Sequence, residues 1–342
     1  LALSIAKDRE KAVYLNYDHI PDREIIHKAS WLADTRLLIL DELHKMAGWK
    51  NYLKGIYDTR PMDMQILVTG SARLETFRQS GDSLAGRFFR HRLNPLSVSE
   101  LTGSGNETID RLMERGGFPE PYLAESADDA NRWRLQYIDG LIRTDILDFE
   151  KIHDFRAIQL TLDLLRRRVG SPISYTSLAT DVGCAPNTIK RYIDILEALF
   201  IIFRVTPYHR NIARSLLKEP KIYFYDTGMV IGSKGILYEN LVAISLLKHL
   251  NAIEDQKGQR TALNTLRTKE KKEVDFLMTV DGEPVTMIEA KLADTEIHPA
   301  LGYFHQKYHL PAIQLVKNLR QEQMVGTIAL RRAHDYLRSL VL

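Results

Sequence analysis

Hydrophobic positions in the first third of the chain fall in short unbroken runs separated by longer amphipathic stretches. Residues 37–40 (LLIL) run straight into Asp41 and Glu42, and Gln65–Thr69 (QILVT) runs into Gly70 and Ser71. Such runs predict strands buried on both faces, as inside a parallel sheet. Residues 13–17 (VYLNY) predict a third strand. Between them the apolar spacing predicts helices over 1–7, 22–33, 49–57 and 74–79, the second opened by Pro21 and Asp22. Strands alternating with helices give a doubly wound α/β sheet, in which ligands bind at the carboxyl ends of strands. Asp41, Glu42 and Ser71 all stand at such ends. Two acids closing a buried strand are costly unless they serve a cation or a water. The plainer alternative is a strand end reaching solvent.

Further along the pattern changes. A Gly/Ser/Asn-rich break at 102–107 predicts a domain boundary, and helices follow over 131–149 and 157–169. Residues 175–182, a Gly-Cys-Ala-Pro turn, residues 187–199 and an apolar strand at 200–205 give helix, turn, helix, strand. That is the winged-helix order, placed at about 173–208. Lys190 and Arg191 lie near the start of the second helix, where groove contacts fall; equally, two basic residues are ordinary on an exposed helix face. His209, Arg210, Arg214, Lys218 and Lys221 add positive charge at wing position, read as solvated surface. Residues 221–229 (KIYFYDTGM) predict a strand running into a turn capped by Asp226.

The last third carries a second set of acids. Residues 235–250 predict an amphipathic helix with Glu239 near its start. Residues 274–280 and 285–290 predict two strands joined by Asp281-Gly282, a hairpin signal. Asp275 is the second residue of one strand and Glu289 lies near the end of the other. Lys291, two residues on, shares its face with Glu289. A strand is also expected at 311–316 and a terminal helix at 331–340.

Two resemblances follow from these residues. LLILDELHKMAGW, ILVTGSARLE and SLAGRFFRHRLNPLSVSEL, in that order, resemble a bacterial and archaeal family of AAA+-like P-loop ATPases with a C-terminal domain of unknown function. The likeness runs the length of the chain. It implies that Asp41 and Glu42 are the Walker B pair, Asp41 holding Mg²⁺ and Glu42 polarising the attacking water. It implies that Ser71 senses the γ-phosphate of ATP and that Arg87 reads it, in cis or from a neighbouring copy in a homo-oligomer. The plainer reading of Arg87 is a solvated basic face with Arg90, His91 and Arg92. No G-x-x-x-x-G-K-[ST] occurs among these residues, so the phosphate-binding loop is expected before Leu1. The second resemblance, from Asp275 followed by Glu289-Ala290-Lys291, is to the PD-(D/E)XK nuclease core. It implies Mg²⁺ on Asp275, Glu289 and Glu239, with Lys291 orienting or deprotonating water. Arg267, Lys269, Lys271 and Lys272 would meet a DNA backbone. Val274 stands where that core often has proline.

Composition narrows little. The chain has 342 residues, 44% hydrophobic and 27% charged, with net charge +3. That size favours more than one domain, and the mild basicity does not by itself argue for nucleic acid. Cys184 is the one cysteine, so no internal disulfide forms and a reducing cytoplasm is expected. No apolar run is long enough to cross a bilayer. The sequence thus predicts an α/β chain in three modules. These are an AAA+-like core over 1–101, a helical segment with winged helix over 102–229, and a PD-(D/E)XK-like domain over 230–342. The expected activity is ATP binding and hydrolysis by a protein whose C-terminal half binds DNA, with nuclease chemistry left open. The rivals are a non-enzymatic DNA- or protein-binding module with a degenerate nucleotide site, and an ATP-independent Mg²⁺-dependent nuclease.

Overall fold

The structure is a computed structural model that describes residues 1–70, 84–103, 105–141, 154–208, 219–268, 270 and 272–341. The chain divides into two compact units, Leu1–Arg90 and His91–Leu342.

The first unit alternates helix and strand: α1 (Ala2–Lys7), β1 (Ala12–Asn16), α2 (Ile20–Lys28), β2 (Leu37–Asp41), α3 (Trp49–Thr59) and β3 (Gln65–Thr69). The three strands are parallel in the order β1-β2-β3, and Asn16, Asp41 and Thr69 fall in one row at their carboxyl ends. The four apolar residues of β2 are all buried, as an unbroken run requires. Leu15, Ile26, Leu38, Leu40, Leu43 and Met64 form the core of the unit. Helix α2 is shorter than its apolar spacing suggests. It starts at Ile20, with Pro21 and Asp22 in its first turn, and stops when Ala29 turns left-handed at φ 50°. The helix expected at 74–79 lies outside the described residues, as does Ser71.

The second unit is built on one mixed eight-stranded sheet. Its helices are α4 (Asn106–Arg115), α5 (Pro119–Leu123), α6 (Ala127–Gly140), α7 (Phe155–Arg166), α8 (Tyr175–Val182), α9 (Pro186–Ala198), α10 (Lys234–Lys257), α11 (Pro299–Tyr308) and α12 (Ala333–Arg338). Its strands are β4 (Ile202–Pro207), β5 (Lys221–Phe224), β6 (Thr261–Arg267), β7 (Glu273–Val280), β8 (Glu283–Lys291), β9 (Ala312–Val316), β10 (Gln323–Val325) and β11 (Ile328–Arg332). They lie in the order β10-β11-β9-β8-β7-β6-β4-β5. A continuous apolar core joins α4, α7, α9 and α10 to the sheet, including Leu112, Leu162, Ile193, Val242 and Phe276.

Three departures from the sequence expectations have local causes. Helix α10 runs on to Lys257, because its next glycine, Gly258, is where the chain turns left-handed. Strand β6 was not expected. Its central Asn264 and Thr265 are buried, Asn264 donating to the backbone and hydroxyl of Thr206 and Thr265 donating to Val274 O. The terminal helix begins at Ala333, because 331–332 complete β11, parallel to β9.

The helix–turn–helix expected from the sequence forms as α8 and α9, joined through Gly183 at φ 78°. The following strands β4 and β5 pair antiparallel. β4 also pairs parallel to β6, so this ladder is one end of the large sheet.

Candidate functional site

Two constellations of acids stand at strand ends, one in each unit.

In the first unit Asp41 closes the central strand β2. Its Oδ1 accepts from the Thr69 hydroxyl at 2.5 Å and from its neighbour's amide, Glu42 N, at 3.1 Å. Its Oδ2 accepts from the Tyr14 hydroxyl at 2.5 Å. The Asp41 hydrogen bond, with burial, pushes the Tyr14 phenol up, so it remains a donor. Two hydroxyls from the flanking strands and the amide just past β2 therefore fix one half-buried carboxylate. Glu42 leaves the strand at once: its φ is 56°, and its amide bonds Thr69 O at 3.1 Å. Its carboxylate meets Lys45 Nζ at 3.0 Å, and Lys45 also binds Asp18. Tyr14 and Thr69 are members of this site that sequence reasoning missed. The signal was the shared strand end, where Thr69 directly precedes Gly70-Ser71. Arg87 pairs with Asp58 at 2.9 and 3.2 Å.

This donor set fits a nucleotide-bound Mg²⁺. An ionised carboxylate is acceptor-only with room for about four partners, so Asp41, held by three, keeps capacity toward a cation or its water.

In the second unit the expected acids converge. Asp275 on β7 and Glu289 on β8 face each other across the ladder. Asp275 N donates to Glu289 Oε2 at 3.2 Å, and Ala290 N donates to Asp275 Oδ2 at 3.0 Å. Lys291 Nζ lies 2.8 Å from Glu289 Oε1, and His298 Nδ1 lies 3.2 Å from the same oxygen. Glu239, near the start of α10, comes to this cluster through Lys221. The ammonium of Lys221 lies 2.5 Å from Glu273, 3.6 Å from Glu239 and 3.9 Å from Asp275. Tyr223 donates to Glu239 Oε1 at 2.6 Å.

Lys221 is a correction to the sequence reading. It is not surface charge at a wing but a side chain 2% exposed, at the start of β5. His209, Arg210, Arg214 and Lys218, its expected companions, lie outside the described residues, as do Lys269 and Lys271. Arg267 pairs with Glu273 at 3.5 Å, and Lys272 Nζ sits 3.9 Å from the centre of the Tyr303 ring.

The electrostatics follow from burial. Burial, then the charge of Asp275, pushes Glu239 and Glu289 each up to about 7. Burial disfavours the charge on Lys221, but Glu239, Asp275 and Glu273 outweigh it and hold the amine above its usual range. Lys291 is raised in the same way, with burial opposed mainly by Glu289. It is therefore an ammonium and a donor rather than a base. Burial and the nearby Lys291 hold His298 below the usual histidine value.

A divalent ion does not fit this cluster as folded. Mg²⁺ wants several oxygens at about 2.0–2.1 Å, but an ammonium already stands among Glu239, Glu273 and Asp275, and Lys291 covers Glu289. Among the described residues, no three His, Cys, Asp or Glu side chains are grouped to hold a metal ion.

Asp226 is more than a turn cap. It accepts from Gly228 N at 3.0 Å, and it also receives the Arg134 guanidinium at 2.7 Å, both side chains buried. Arg134 donates in addition to Arg115 O. Asn240 on α10 bonds both backbone groups of Phe224 and the Thr227 hydroxyl. The KIYFYDTGM stretch thus supplies Lys221 and Tyr223 to the acid cluster and anchors α4, α6 and α10 with its other end.

Comparison with known proteins divides the chain into three matches. Residues 1–102 match an AAA domain, residues 106–237 a domain of unknown function (DUF8612), and residues 234–330 a second domain of unknown function (DUF4143). An uncharacterized protein of Mycobacterium tuberculosis is 28% identical over 72% of this chain and 57% of its own length. One from Haemophilus influenzae is 25% identical over 87% and 76%, and one from Methanocaldococcus jannaschii 21% identical over 84% and 68%. The chain thus spans little more than half of its mycobacterial relative. No solved structure matches it. No helix among the described residues is long and apolar enough to cross a membrane. The chain thus carries a stretch similar to an AAA domain toward its N-terminal end and one similar to a DUF4143 domain toward its C-terminal end.

Proposed function

We propose that the chain couples an ATP-binding, ATP-hydrolysing core to a C-terminal unit that binds DNA without cutting it. One observation carries the first half: the Asp41 carboxylate, fixed at the end of the central parallel strand by Tyr14, Thr69 and the Glu42 amide. Bound Mg²⁺ would neutralise phosphate charge at this strand end, with Asp41 as the residue that holds it. Glu42 takes a proton from the attacking water at its carboxylate once Lys45 releases it. Ser71 and Arg87 complete the proposed set, Ser71 as the polar residue near the γ-phosphate and Arg87 as its charge reader. In the full-length protein, Glu42→Gln is expected to keep ATP binding and to lower turnover by roughly 10²–10⁴-fold, the usual worth of a general base. Turnover that persists in Glu42→Gln overturns the assignment.

The DNA half rests on α8, Gly183 and α9. Ile189, Tyr192, Ile193 and Leu196 point inward from α9, leaving Lys190 and Arg191 on its exposed side near the helix start. Duplex DNA affinity by fluorescence anisotropy is expected to fall, with a shallower salt dependence, in Lys190→Ala/Arg191→Ala. An unchanged affinity overturns it. Of the readings of the acid cluster, binding without cleavage is favoured by the Lys221 ammonium among the carboxylates. Plasmid DNA is expected to stay intact with Mg²⁺. The division at 1–101, 102–229 and 230–342, with a winged helix and a nuclease-like fold in the last two parts, belongs to this proposal.

A further inference from the structure

Three buried lysines in the second unit invite comparison. Lys248 binds Glu100 and Pro95 O, and Lys317 binds Asp110. Each is one ammonium facing one carboxylate, an ordinary structural pair. Lys221 faces three carboxylates from two elements, Glu239 on α10 and Glu273 and Asp275 on β7.

Its position is not adjustable. The backbone of Lys221 pairs with Val205 on one side and bridges Pro172 on the other. Glu239 is equally confined. Tyr223 donates to its Oε1, and a Cβ on Gly170 would come within 2.8 Å of that oxygen. The fold therefore holds three carboxylates around the Lys221 ammonium, at 2.5, 3.6 and 3.9 Å, and a positive charge has to stand among them. A buried carboxylate cluster without a counter-charge is expensive, and the chain supplies the charge covalently.

We propose that the Lys221 ammonium is the resident cation of this acid cluster, standing where a divalent ion would sit between Glu239, Glu273 and Asp275, and that removing it creates a divalent-cation site. The inference deepens the reading of the C-terminal unit as one that binds DNA without metal-dependent cleavage, and rests on it. Lys221→Met keeps the apolar stem and deletes the charge. The carboxylates then face one another without a counter-charge, which a dication can supply.

The test uses the whole chain at pH 8 with Mn²⁺ alone as the probe, read by electron paramagnetic resonance and by thermal melting. The wild type is expected to bind no Mn²⁺ at the cluster up to millimolar concentration and to melt at the same temperature in Mn²⁺ and in chelator. Lys221→Met is expected to bind one Mn²⁺ and to melt higher as Mn²⁺ is raised, since a ligand of the folded state alone stabilises it. Adding Asp275→Asn to that variant is expected to abolish both effects. If Lys221→Met does not fold in chelator, Lys221→Met/Glu273→Gln, with one buried charge fewer, reads the same quantities. Mn²⁺ binding by the wild type that is lost in Asp275→Asn overturns the inference, and so does a folded lysine-free variant that binds no Mn²⁺. The DNA reading is checked separately by wild-type DNA affinity and plasmid integrity, neither of which enters the Mn²⁺ result.

Discussion

Single residues carry the chemistry here through what burial does to their charge. Glu239 and Glu289 have folded values of about 7, against an ordinary glutamate value of 4.5. Between those values the folded state holds protons that the unfolded chain has released, so stability must fall as pH rises. The contribution is fully present below about pH 4.5 and gone above about pH 7, apart from the effect of other groups. Between pH 6 and pH 8 the loss is about 1–3 kcal/mol, which for a unit of this size lowers the melting temperature by roughly 3–8 °C. Glu289→Gln and Glu239→Gln are each expected to flatten that slope, measured as melting temperature against pH. A slope of the opposite sign would mean the acids are ionised in the fold and that the charge of the two lysines outweighs burial and the repulsion among the carboxylates. At the other site, two hydroxyls hold Asp41, and each is a charge-assisted bond. Tyr14→Phe and Thr69→Val are each expected to lower stability of the first unit by about 1–2 kcal/mol in urea denaturation.

At the scale of elements, the sequence was legible where one interaction type decides the outcome. Strands β2 and β3 announce themselves as apolar runs, and the β7–β8 hairpin by Asp281-Gly282, both of which turn left-handed at φ 52° and 84°. The convergence of Asp275, Glu289 and Lys291 was legible for the same reason, since alternation and a short turn fix their facing. Strand β6 was not legible, because its Asn and Thr are satisfied by partners 58 and 9 residues away in the chain. Lys221 was misread because lysine is a surface residue by default, and its three carboxylates come from positions 239, 273 and 275. The Arg134–Asp226 pair was invisible for a like reason, and it makes two glycines indispensable. A Cβ on Gly116, already at φ 72°, would come 1.5 Å from Asp226 Oδ1, and one on Gly228 would come 2.0 Å from Arg134 Nη2. Gly116→Ala is expected to cost about 3–5 kcal/mol, as breaking a buried pair does. Gly55→Ala, inside exposed α3 with nothing within 4 Å, is expected to stabilise by about 0.5–1 kcal/mol. Chemical denaturation of both variants checks the pair of outcomes.

The whole molecule is two units of unequal self-sufficiency. The second has an eight-stranded sheet and an apolar core that runs from Val98 to Leu337. Among the described residues the first has three strands, and one cluster of six buried hydrophobic residues centres its core. Among the described residues β3 is paired on one side only, and Ile66, Leu67 and Val68 are only half-buried. A small unit buries too little of its surface to pay for chain entropy with a margin. A fragment of residues 91–342 is therefore expected to unfold cooperatively on its own, with a single urea transition seen alike by far-ultraviolet circular dichroism and tryptophan fluorescence. Trp133 is its only tryptophan and sits on α6, stacked on Tyr137 at 4.7 Å, so fluorescence reports that region directly. A fragment of residues 1–90 is expected to show a broad transition with a small denaturant slope, because the slope scales with the surface exposed on unfolding. If the larger fragment lost structure gradually, or its two probes disagreed, the core that links α4, α7, α9 and α10 to the sheet would not be one cooperative unit. The acid cluster would then not be held by the rigid fold that its pKa shifts and its resident ammonium both require.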